Sequence, residues 1–132
     1  MAVYTQIDNP ELYFQTKLYA GTGSALSITL DGSENMQPDW VWIKERNASS
    51  SSHNLTDSVR GAGKGLFSND NSAEYDYGTG SAGSVKSFDS DGFTLGTASQ
   101  VNPSGVNMVS WNWKAGGSAP AKTYTVKVVS DS

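Results

Sequence analysis

The sequence predicts an all-β fold, a single-domain antiparallel β-sandwich, and three observations carry that prediction. Short apolar runs alternate with polar residues at a period of two, as in SALSITL (24–30), where Leu26, Ile28 and Leu30 oppose Ala25, Ser27 and Thr29. Clusters of Gly, Ser, Asn and Asp break these runs, and Gly alone is 14 of 132 residues. Apolar residues at the 3.6-residue spacing of an amphipathic helix are missing almost everywhere.

Taken in order, PELYFQTKLYA (10–20) reads as one helical turn or a strand, with Tyr13, Phe14, Leu18 and Tyr19 as its buried candidates. SALSITL is a half-buried strand, ended by the turn residues of DGSENMQP (31–38). PDWVWIKER (38–46) puts Trp40 and Trp42 on one face and Val41 and Ile43 on the other, the mark of a central strand covered on both sides. NASSSSHN (47–54) is polar and aperiodic, and is expected as an exposed, mobile loop. LTDSVRGAGKGLFSND (55–70) has strand-like ends around a glycine-rich middle, and AEYDYG (73–78) alternates Tyr75 and Tyr77 with acids. SVKSF (84–88) and FTLG (93–96) flank a tight turn, VNMVSWNWKA (106–115) lines up Val109, Trp111 and Trp113, and TYTVKVV (123–129) lines up Tyr124, Val126 and Val128. Together these make roughly seven or eight short strands, at the spacing of an all-β sandwich. GGSAPAK (116–122) reads as a hinge before the last of them.

A chain of 132 residues is long enough for one domain with its own core, which matters because there is no cysteine to staple it. Disulfides, thiolate metal sites and thiol catalysis are thereby excluded. The formal charge of −4, from 13 acidic and 9 basic residues, argues against nucleic acid as a partner. The N-terminal residues lack the basic and apolar regions of a secretory signal. No apolar stretch approaches the ~20 residues of a membrane helix, so membrane insertion is not expected.

Few residues suggest a chemical centre. Asp89-Ser90-Asp91-Gly92 has the acidic alternation of calcium loops, with Asp76 or Asp57 as residues that would complete a site in space. No closing acid follows in Phe93-Thr94-Leu95-Gly96, and Asp-Gly between apolar segments is a hairpin signal, so the turn is the preferred reading. GAGKG (61–65) fails as a phosphate loop, because Ser58 stands where the first glycine belongs and Gly65 follows Lys64. His53 lies in the serine-rich loop, where a triad with Ser49 to Ser52 and Asp57 lacks a rigid base and an oxyanion hole. Nothing marks Glu34, Glu45 or Glu74 as a catalytic pair. Trp40, Trp42, Trp111 and Trp113 are read as the sandwich core, with sugar stacking as the alternative, while Tyr75 and Tyr77 are the surface-contact candidates. No catalytic residue, cofactor or metal is assigned.

The ordered series LYAGTGSALSIT, PDWVWIKERN, HNLTDSVRGAGKGLFSNDNSAE, SFDSDGFTLG, VNPSG and WNWKAGG resembles a domain family of tailed-bacteriophage virion proteins, common in marine and cyanobacterial phages. The resemblance spans about residues 12 to 117. It implies a lectin-like jelly-roll sandwich, similar to concanavalin-type or SPRY-type domains, and no catalytic residues. The chain is accordingly divided into a sandwich domain at 1–117 and a C-terminal strand or tail at 118–132.

The expected function is that of a non-enzymatic virion structural protein, a capsid decoration or cement protein that binds other virion proteins, major capsid or tail, as a homo-oligomer on the particle. Assembly in the host cytoplasm is its expected route to the virion. Tyr124, Val126 and Val128 are the expected contact residues, through strand addition to a neighbour. The alternative is a tail-fibre or tail-tip module that recognises host surface glycans.

Overall fold

A computed structural model describes residues 9–49 and 51–115. A 3-10 turn at Pro10–Leu12 opens the fold, with Pro10 at its first position and the Asn9 side chain accepting from the Glu11 N–H. The chain then enters β1 (Phe14–Ala20), so the first segment is both a helical turn and a strand. The others are β2 (Leu26–Thr29), β3 (Trp40–Glu45), β4 (Asn54–Asp57), β5 (Lys64–Phe67), β6 (Tyr75–Asp76), β7 (Val85–Asp89), β8 (Gly92–Leu95) and β9 (Asn107–Trp113).

These nine strands form two antiparallel sheets. One has six strands in the order β1-β9-β3-β4-β5-β6, and the other has three, β2-β8-β7. The predicted all-β sandwich is therefore present. Its core is a single cluster supplied by both sheets: Ile28, Val85, Phe93 and Leu95 from the smaller, Val41, Ile43 and Met108 from the larger, closed by Val101 from a loop. Phe93 is fully buried and is the largest such side chain.

The tryptophans are not in this core. In β3, Val41 and Ile43 face the second sheet, so Trp40 and Trp42 face away and are half-buried. In β9, Met108, Ser110 and Asn112 face inward, which turns Trp111 and Trp113 outward. This corrects the reading of all four as interior filling. A period of two fixes which residues share a face, but not which face meets the other sheet, and on β3 and β9 the core-facing apolar residues are Val41, Ile43 and Met108.

β1 brings a second correction. Tyr13, Phe14 and Leu18 are exposed, and of the four candidates only Tyr19 packs against the core. Its hydroxyl donates to the Val101 carbonyl at 2.6 Å, and burial pushes its pKa up. Inward-facing Gln15 is buried instead. Its amide nitrogen donates to the carbonyls of Glu11 and Glu34, and its oxygen accepts from the Gly32 N–H, which ties the β2–β3 connection to β1.

The hairpin at 85–95 forms as read. Asp89 pairs with Gly92 and Phe88 with Phe93, leaving Ser90 and Asp91 as the two-residue turn. Gly92 follows the turn rather than occupying it. A Cβ there would collide with the Ile28 carbonyl on β2, so close strand approach demands the glycine.

Candidate functional site

The outward face of the six-stranded sheet carries a band of aromatic rings. Phe14, Trp113 and Trp40 stand side by side on β1, β9 and β3, at centroid separations of 4.9 Å and 4.4 Å. Trp42 and Trp111 form a second pair at 5.2 Å. Leu18, 55% exposed, extends the band to the β1 edge, and Leu66 extends it the other way along β5. An aromatic-rich face of this kind marks a contact surface more often than a lone exposed leucine does.

The band ends at an open edge. The Lys114 N–H donates to the Tyr13 carbonyl and the Gly21 N–H to the Val106 carbonyl, which fixes the hydrogen-bonded pairs of β1 with β9. By alternation, Gln15, Lys17 and Tyr19 point their backbone groups at β9, while Phe14, Thr16, Leu18 and Ala20 point theirs away. Among the described residues no strand lies on that side. The only charged residue of β1 is Lys17, which is held by Asp31 at 2.9 Å.

Tyr75 and Tyr77 are brought together, but in different roles. Rings of Phe67, Tyr75 and Tyr77 stack in series, at 5.0 Å and then 4.4 Å. Tyr75 lies over Gly65, where any Cβ would strike its hydroxyl, and that hydroxyl donates to the Asn54 side-chain oxygen. Burial raises its pKa. Tyr77, 42% exposed, is the outer member and walls a shallow pocket of about 320 Å³ with Ala82, Thr97, Ala98, Ser99 and Gln100.

Other candidates resolve into structural parts. Asp89 accepts from the Ser87 hydroxyl at 2.7 Å and the Thr94 hydroxyl at 2.8 Å, bracing its hairpin. Asp76 accepts from the Gly78 N–H, and Asp57 from the Arg60 backbone and guanidinium. Among the described residues no three His, Asp or Glu side chains converge as a metal group. GAGKG is a turn leading into β5, with Gly63 at φ 86 and packed against the Gly78 backbone. His53 donates its backbone N–H to Asn69, and Asp57, its partner in the imagined triad, is occupied by Arg60. A second pocket of about 200 Å³ lies beside Glu11, Gln15 and Asp31, where Ser33 hydrogen bonds hold the Glu11 carboxyl below its usual range. Tyr124, Val126 and Val128, with the hinge before them, lie outside the described residues.

Sequence reasoning missed the polar half of the Tyr77 pocket. Thr97, Ser99 and Gln100 sit in an aperiodic segment, and only a long-range fold brings them to Tyr77.

Residues 9–130 match the family described as Domain of unknown function (DUF7483), and the chain belongs to it. No curated protein and no solved structure matches the chain.

Proposed function

We propose that the chain is a structural protein of a bacteriophage virion, a capsid decoration or cement protein that acts by protein–protein binding and not by catalysis. The observation that carries this reading is the band of Phe14, Trp113, Trp40, Trp42 and Trp111, running into a β1 edge whose outward backbone groups meet no described strand. Aromatic surface supplies much contact area at little cost in side-chain entropy, and an open edge offers main-chain hydrogen bonds to a neighbour. The resemblance of the ordered motifs to those of virion domains supports the particle as the setting, with other virion proteins and further copies of this chain as partners, assembled in the host cytoplasm.

The test is attachment to particles that lack the protein. Wild-type chain is expected to coat heads in many copies, and Leu18→Glu, at an exposed position that leaves the core alone, is expected to reduce attachment at least about tenfold, the equivalent of about 1.4 kcal/mol. Undiminished coating by a folded Leu18→Glu protein removes the β1 end of the face from the contact. A few copies confined to the tail support a second reading, a tail-tip module that recognises host surface glycans. That reading is favoured by one specific feature, the solvent-facing tyrosine pocket at Tyr77.

A further inference from the structure

The geometry points to the Tyr77 pocket as a binding site for a neutral saccharide ring, an inference that rests on the glycan reading above. The Tyr77 ring is stacked on Tyr75, the residue is 42% exposed, and it lines the pocket. A pyranose has an apolar C–H face ringed by hydroxyl groups. The pocket matches both parts: an aromatic wall with Ala82 and Ala98 for the C–H face, and the Thr97, Ser99 and Tyr77 hydroxyls with the Gln100 amide for the rim. Its volume of about 320 Å³ is at the small end for ligand sites, which suits one ring of a longer glycan.

Among the described residues the lining contains no charged side chain, and the whole chain carries −4. An acidic sugar therefore meets no compensating cation here, whereas a neutral one leaves no charge unpaired. This sets the chemical class of the ligand.

The pocket is also built rather than incidental. Its two loops are stitched together by backbone bonds, from the Thr97 N–H to the Ser81 carbonyl at 2.9 Å and from the Ala98 N–H to the Gly83 carbonyl at 3.3 Å. A Cβ on Gly96 would collide with the Gly83 carbonyl, so the loops close on each other only with glycine there. The Gln100 amide donates to the Tyr77 hydroxyl at 3.2 Å, which orients both polar groups before any ligand arrives. Tyr75 holds the stack from beneath through its bond to buried Asn54. A preformed wall and rim reduce the ordering cost of binding.

The experiment is a backbone-amide NMR titration of the intact chain with glucose, galactose, mannose, N-acetylglucosamine and N-acetylgalactosamine and their short oligomers, beside glucuronic and sialic acids. At least one neutral saccharide is expected to shift the amides of Tyr77, Ala82 and residues 97–100 at millimolar concentration. Tyr77→Ala is expected to weaken that binding at least about tenfold, while Tyr77→Phe, which keeps the stacking face, loses less. Unchanged amides of Val41, Ile43 and Phe93 confirm that each variant is folded. Binding that shifts the Trp40–Trp113 face instead overturns this site and leaves glycan recognition standing. Binding of acidic sugars alone overturns the assigned class. If no saccharide moves any amide, the site and the glycan reading fall together.

Discussion

Trp40 and Trp113 lie directly opposite each other on neighbouring strands, their ring centroids 4.4 Å apart and their planes tilted by 36°, on the face turned away from the core. Cross-strand pairs of this kind are the unit by which a sheet is held laterally, and here the pair joins β3 to β9 at the end where Phe14 also reaches in from β1. A double-mutant cycle with Trp40→Leu and Trp113→Leu is expected to give a coupling energy of about 0.5–1.5 kcal/mol in urea unfolding. Additive losses would mean that the two rings are merely adjacent.

Trp42 is placed differently from its neighbours, because its indole N–H is buried and has no acceptor among the described residues. An unpaired buried donor costs about 1–3 kcal/mol, which offsets part of what the large ring contributes by packing on Trp111. Trp42→Phe deletes the donor and keeps an aromatic ring. Its unfolding free energy is expected to stay within about 1 kcal/mol of wild type, the two effects opposing each other. A loss beyond about 2 kcal/mol in calorimetry or urea unfolding contradicts the offset.

These two residues also show where sequence reasoning stops. The alternation in PDWVWIKER identified both faces of β3 correctly, and Phe88 and Phe93 were rightly placed across a hairpin, since both signals are local. Which face of β3 turns inward depends on where the second sheet docks, a long-range outcome with no local mark. The same limit hides Gln15, Asn112 and Asn102, buried polar residues whose side chains bond to backbone groups, and buried Ser110, whose hydroxyl accepts from the Asn112 amide. In the Tyr77 pocket the two tyrosines were legible as contact candidates by their alternation. Their division into a half-buried support and an exposed wall was not, because it depends on Gly65 beneath one and Gln100 beside the other.

Asn102 fastens the loop that carries Thr97, Ser99 and Gln100. Fully buried, it accepts from the Thr22 N–H at 2.7 Å and donates to the carbonyls of Ser24 at 2.5 Å and Gly96 at 2.8 Å. Asn102→Ala removes three hydrogen bonds; the Ser24 carbonyl keeps the Thr22 hydroxyl, but the Thr22 N–H and the buried Gly96 carbonyl lose their partner, and the expected cost is about 2–3 kcal/mol. Asn102→Asp is expected to cost at least as much at neutral pH, since a carboxylate then faces two carbonyl oxygens. Both variants are read by urea unfolding, and retention of wild-type stability by either removes Asn102 from this role.

The acid limb of the stability curve is expected to run through Asp57. Burial alone raises a carboxyl pKa, but here the backbone N–H and guanidinium of Arg60 bond to it, the latter at 2.6 Å, and the net direction is below the ordinary 3.8. A carboxyl depressed in the fold contributes its stability in full above the unfolded-chain value and loses it as pH falls through the folded value. The loss therefore begins near pH 3.8 and continues below it. Glu11, bonded by Ser33, and Asp31, bonded by Lys17, are shifted the same way and share this limb. Asp57→Asn should be less stable than wild type at pH 7 and should lose less on acidification, so the two curves converge at low pH. Urea midpoints measured from neutral pH into the acid range check this, and parallel curves would place the acid sensitivity elsewhere.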